Sequence, residues 1–161
     1  MAPDHDMATR APPPTASPTP TASPTPAAPP TSGAVRSWFA CGAVLGLLSV
    51  ACAALVAHLP DRLLAADGRE ALRSAVQILG WHAAALLAAA LWLREGVARR
   101  LVHLAACCFL TGTACFCAGV AVPALGGPHL GRTAPTGGTL LMIGWALLAA
   151  SAWPTRSAAR R

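Results

Sequence analysis

The sequence predicts an all-α protein: four transmembrane helices in an antiparallel bundle, behind a disordered, proline-rich N-terminal tail. Three observations carry that prediction. Four apolar runs, at about 38–59, 74–93, 101–122 and 139–153, are each close to the ~20 residues that a bilayer crossing requires. Hydrophobic residues make up 55% of the 161 positions and charged residues only 11%, where a soluble domain carries about 25%. Finally, the 12 basic residues are all arginine, and they fall at the ends of the apolar runs or in the tails. The net charge of +6 therefore points to a lipid bilayer as the partner and not to nucleic acid.

Residues 1–34 form the tail. Ten prolines among Thr, Ser and Ala, with the near repeat Thr15–Pro20 and Thr21–Pro26, remove backbone donors and block helix, so an extended spacer is expected. A four-helix domain follows over 36–154. Its first run, Trp38–Leu59, has no charge and exceeds the roughly 7–15 apolar residues of a signal peptide, so it reads as a span closed by Pro60. Asp61–Arg73 is a mixed-charge connection with a turn at Gly68. Asp67 or Gly68 is placed to cap the second helix, and Glu70 sits in its first turn.

Arg94–Arg100 is a link short enough to make the second and third helices antiparallel neighbours. Pro123 to Pro135, with Gly126, Gly127, Pro128 and Gly131, reads as loop. The fourth span is expected to start after Gly137–Gly138 and to end near Pro154, before a basic tail at 155–161. Arg10 and Arg36, Arg94, Arg99 and Arg100, and Arg156, Arg160 and Arg161 fall on one side of such a bundle. Arg62, Arg69, Arg73 and Arg132 fall on the other. The richer side is expected in the cytoplasm, which places both termini there and the chain in the inner membrane, with Trp38, Trp92 and Trp153 at that interface.

Helix association in lipid depends on small residues that let backbones approach. Gly42 and Gly46 supply such a pair on the first helix, Gly112 and Gly119 on the third, and Gly137, Gly138 and Gly144 on the fourth. They are expected to pack within the chain, with self-association as the other use. Six cysteines lie inside the runs without a C-x-x-C pair and read as small packing residues.

His82 is the one ionisable residue near mid-span, where such residues are rare and often functional. The structural reading gives it a hydrogen bond to Gln77, Thr111, Thr113 or a backbone carbonyl. The functional reading makes it a ligand or proton-relay group. Gln77 and His58 are the other polar candidates. His82 and His103 differ by about 10 Å in depth at 1.5 Å per residue, too far for one haem. The acids Asp61, Asp67, Glu70 and Glu95 lie in loops, and no G-x-S-x-G, P-loop or H-E-x-x-H motif occurs. No catalytic residue, metal or cofactor is expected.

The run GAVLG to His58, AVQILGWHAAALL at Ala75–Leu87, FLTGTACF at Phe109–Phe116 and APTGGTLLMIGW at Ala134–Trp145 resemble, in order and spacing, a small four-helix membrane family. This is domain-of-unknown-function family 423, whose eukaryotic relatives are the transmembrane protein 256-like proteins. The resemblance covers about 36–153. It places the family's glycine-rich end of helix one on Ala53–His58, its aromatic-His run on Ile78–His82, and its Ser-Gly-Ser run on Cys117–Gly119. His58, Gln77, His82, Pro135, Gly137, Gly138, Gly144 and Trp145 are retained, while this chain has no tyrosine. The family implies the fold and a membrane location, and brings no established activity. The expected function is that of an accessory or structural membrane protein and not an enzyme, with other membrane proteins as partners. The alternatives are a small oligomeric channel or carrier, with His58, Gln77, His82 and Thr113 lining its lumen, and a quinone- or haem-associated electron-transfer subunit.

Overall fold

The structure, a computed structural model, describes residues 33–96 and 98–153. The expected tails lie outside these residues, apart from Gly33 and Ala34, which already belong to the first helix. The described residues are all-helical: α1 Gly33–His58, α2 Gly68–Arg94, α3 Arg99–Ala124 and α4 Thr133–Ser151, with one 3₁₀ turn at Asp61–Leu63. All four helices are long and apolar enough to cross a membrane. Even α4, the shortest at 19 residues, rises about 28 Å at 1.5 Å per residue, against a hydrocarbon core of about 30 Å.

Three of the four helices begin well ahead of the expected positions, and for α2 and α4 the neighbouring residues show why. The Asp61–Arg73 connection is mostly ordered. Arg69 donates to the Val56 and Leu59 carbonyls at 2.5 Å each and pairs with Asp61 at 2.6 Å. A cation thus satisfies the carbonyls at the end of α1, where the helix dipole is negative. Asp67 precedes α2 in a left-handed conformation without a side-chain cap, so the expected cap is not made. Gly68 serves for closeness instead: a Cβ there would lie 2.5 Å from the Ala124 carbonyl oxygen, which accepts from the Ala65 N–H at 3.0 Å.

The expected Pro123–Pro135 loop shrinks from both sides. Pro123 sits in the last turn of α3, where it has no N–H to donate to the Gly119 carbonyl. The helix then stops in a Schellman turn: Gly126 has φ +78°, its N–H bonds the Pro123 carbonyl, and the Gly127 N–H reaches the Val122 carbonyl. Pro135 lies in the first turn of α4, whose N–H groups need no helical acceptor. Gly137–Gly138 is therefore inside the helix and not ahead of it.

The helices pack in sequence, α1 on α2, α2 on α3 and α3 on α4. Gly42 lies against Leu87 and Ala83, Ser49 donates to the Val76 carbonyl at 3.2 Å, and the Val56 carbonyl meets Arg69. On the other side, Gly119 faces Ala134, Gly112 faces Gly137 and Leu141, and Gly144 faces Phe109 and Ala105. The main core joins α2 and α3 through Leu86, Ala89, Leu93, Val102, Ala105 and Phe109. A smaller cluster of Val56, Leu72 and Ala124 closes the far end. The outer surface is apolar: Leu47, Val50, Trp81 and Met142 are each more than 60% exposed.

Candidate functional site

The polar residues of the spans do not gather into one site. His82, near the middle of α2, is buried at 5% exposure. Its Nδ1 lies 2.8 Å from the Ile78 carbonyl one turn earlier in the helix, and its Nε2 accepts from the Trp145 indole N–H of α4 at 3.3 Å. A carbonyl only accepts and an indole N–H only donates, so the two bonds together require the neutral imidazole with its proton on Nδ1. Both ring nitrogens are thereby occupied.

Around this pair the rings interlock. Phe109 of α3, with no exposed surface, lies 5.6 Å from the His82 ring and 5.1 Å from that of Trp145, edge to face with the latter. Trp145 and His82 meet edge-on at 6.2 Å. Contacts of this geometry add about 0.5–1.5 kcal/mol per aromatic pair beyond area burial. Gly144 makes room for the arrangement, because a Cβ there would come within 2.7 Å of the Phe109 ring. One residue each from α2, α3 and α4 thus meets in a single apolar cluster with a hydrogen bond at its centre.

The same chemical pair recurs at the opposite side of the core. The Trp38 indole N–H of α1 donates to His103 Nδ1 of α3 at 2.9 Å, with ring centroids 6.3 Å apart. Neither Trp–His bond follows from the sequence, which makes Trp38 an interfacial anchor and offers His82 other partners. The available signal was the indole N–H itself, a donor that must find an acceptor when it is withdrawn from water. The carbonyl among His82's expected partners is present. Thr111 instead donates to the Cys107 carbonyl at 2.8 Å, and the buried Thr113 hydroxyl has no partner among the described residues.

Gln77 and His58 are exposed and do not join His82. Gln77 lines a cleft of about 200 Å³ with Arg73, Ala53 and Val56, between α1 and α2. A wholly apolar cleft of about 320 Å³ lies between α1, α2 and α3, walled by residues such as Leu55, Leu79 and Ala121, with Cys52 and Cys117 on its surface. Cys117 makes a weak bond to the Ala75 carbonyl at 3.4 Å. Among the described residues no three His, Cys, Asp or Glu side chains are placed to hold a metal ion. His82 could ligate a haem or metal through Nε2 only by giving up Trp145.

The glycines divide sharply. Gly137 is the tightest: a Cβ would overlap the Phe116 backbone and come within 2.7 Å of the Gly112 carbonyl oxygen. Gly112 and Gly119 are nearly as close, at 2.8 Å from Leu141 and 2.5 Å from the Ala134 nitrogen. Gly42 meets Leu87 at 2.9 Å, a side chain that can move. Gly46 has only Ala83 at 3.9 Å, and Gly138 has nothing within 4 Å, so these two are not tight intramolecular contacts. Gly138 is one residue, about 100° of helix rotation, away from the seam that Gly137 makes. A contact missed from sequence is Gly80, whose Cβ would lie 2.9 Å from Ser49 Oγ.

No solved structure matches the chain. A family model described as "Protein of unknown function (DUF423)" matches residues 52–138, a narrower stretch than 36–153 but just over half of the chain. The matched stretch runs from the last two turns of α1 to the first turns of α4 and includes His58, Gln77, His82, Phe109 and Gly137, while Trp38, Gly144 and Trp145 lie outside it. With more than half of its length matched, the chain belongs to the DUF423 family of proteins of unknown function.

Proposed function

We propose that this chain is a multi-pass inner-membrane protein with no reaction of its own, acting as an accessory or structural component. In this reading the four helices form an antiparallel bundle with both termini in the cytoplasm. Its partners are lipid and other membrane proteins, or further copies of itself, and not nucleic acid. The observation that carries the reading is His82. Carriers and pumps place such a group on a water-filled path, whereas here the buried His82 has both imidazole nitrogens engaged, by the Ile78 carbonyl and by the half-exposed Trp145. Gln77, the other half of a polar lumen, lies on an outer cleft instead.

The outward display of Leu47, Val50 and Met142 supports lipid as the solvent. The pairing of early α1 with late α2, and of late α3 with early α4, supports the antiparallel order. Arginine placement supports the orientation. Crosslinking in native membranes, with identification of the neighbours, tests the reading directly: reproducible membrane-protein neighbours are expected. Cysteines placed at Gly96 and near the C-terminus should label from the same, cytoplasmic face. Labelling from opposite faces would overturn the architecture.

A further inference from the structure

Among the described arginines only Arg69 is hydrogen-bonded or ion-paired through its side chain, and two of the others, Arg36 and Arg94, line one groove. Between the first turns of α1 and the last turn of α2 lies a cleft of about 380 Å³, walled by Val35, Phe39, Ala40 and Leu91, with Arg36 and Arg94 at its edge. Both arginines are exposed, and neither side chain makes a hydrogen bond or ion pair among the described residues. Glu95, the only acid at this end of the described helices, is exposed and forms no ion pair either. Arg99 and Arg100, at the start of α3, add to the positive field. The other clefts differ: the one at Gln77 has a single arginine, Arg73, and the one at Cys117 has no charged group.

We propose that this groove binds an anionic glycerophospholipid, with the phosphate held between Arg36 and Arg94 and an acyl chain lying along Phe39 and Leu91. Two guanidinium groups from two helices present forked donors that match phosphate oxygens. The apolar wall of the same groove is what a free anion would leave unused and a lipid tail would cover. Basic pockets between spans at the cytoplasmic surface recognise anionic headgroups through this combination of charge and apolar depth. The lipid site rests on the membrane reading above and gives it chemical selectivity: phosphatidylglycerol is retained, while zwitterionic phosphatidylcholine, whose choline group opposes the arginines, is not.

The test uses the full chain, extracted from carbonate-washed membranes and titrated separately with phosphatidylglycerol, phosphatidylcholine and inorganic phosphate, read by native mass spectrometry. Saturable binding of phosphatidylglycerol alone is expected. R36Q/R94Q should weaken it about thirtyfold, from roughly 1 kcal/mol per arginine near the surface. R62Q/R73Q, at the other end of the bundle, should leave it unchanged. Equal binding of phosphatidylcholine, equal occupancy by inorganic phosphate, or equal loss in R62Q/R73Q would each overturn the site.

A second measurement needs no variant. A photoactivatable phosphatidylglycerol, mapped by peptide, should label Phe39, Ala40 or Leu91, and even labelling along all four helices would overturn the proposal. A chain that resists carbonate but fails these tests sinks the lipid site and leaves the membrane reading intact. A chain washed out by carbonate sinks the membrane reading itself.

Discussion

The α3–α4 and α1–α2 contacts are both built on glycine, yet they differ in what the glycine meets. Along α3–α4, Gly119 and Gly137 bring backbone onto backbone, with Ala134, Phe116 and the Gly112 carbonyl as the facing atoms, while Gly112 itself meets first the end of the Leu141 side chain. Along α1–α2, Gly42 meets mainly the end of the Leu87 side chain, Gly46 has slack, and polar groups complete the seam: Ser49 on Val76, and Arg69 on the end of α1. Backbone cannot step aside and a leucine can. A motif of two small residues four apart therefore does not state how rigid a contact is, because the answer lies in the opposite helix.

Substitutions can break or sharpen this contrast. Gly137→Ala should have the largest effect, about 3 kcal/mol or more, since the added methyl meets only main chain. A detergent melting curve that barely moved would mean that α4 can slide on α3. Gly42→Ala should cost about 1 kcal/mol, because Leu87 can yield but the Ala83 carbonyl oxygen lies at 3.1 Å. A loss equal to that of Gly137→Ala would erase the distinction between the two seams.

His82→Leu tests the cluster that ties α4 to α2. It should destabilise by about 0.6–2 kcal/mol while leaving membrane insertion intact, and Trp145 fluorescence should shift as the indole N–H loses its acceptor. An unchanged melting curve would remove the structural role. The smallest effect is expected for Gly138→Ala, where the methyl enters open space and helix propensity alone should add up to about 1 kcal/mol of stability. If it instead weakened a crosslinked dimer without affecting the monomer, the outer face of α4 would be an interface between copies.

Much of this architecture could be read from the chain, for reasons that apply unequally. Hydropathy located all four helices because a run of some 20 apolar residues without charge has few other uses. It set three of their starts too late, for one remote and one local reason: Gly68 at the start of α2 packs on Ala124, far off in sequence, and Pro135 fits α4 because a first turn tolerates proline. His82 could be singled out by its depth, but its partner could not. Trp145 is 63 residues away, and nothing in local spacing aims one indole at one imidazole. Gln77 and His58 shared the family resemblance with His82 and turned out to share no site with it.

Composition and order alone settle that the chain makes four long apolar helices with arginines at their ends, because hydrophobicity and charge are properties of each residue wherever it sits. Which glycine carries a seam, which histidine nitrogen is occupied and which arginine is left unpaired are settled by packing. Those properties belong to pairs of residues, and a helix rotated by one position exchanges Gly137 for Gly138 without changing a letter of the pattern.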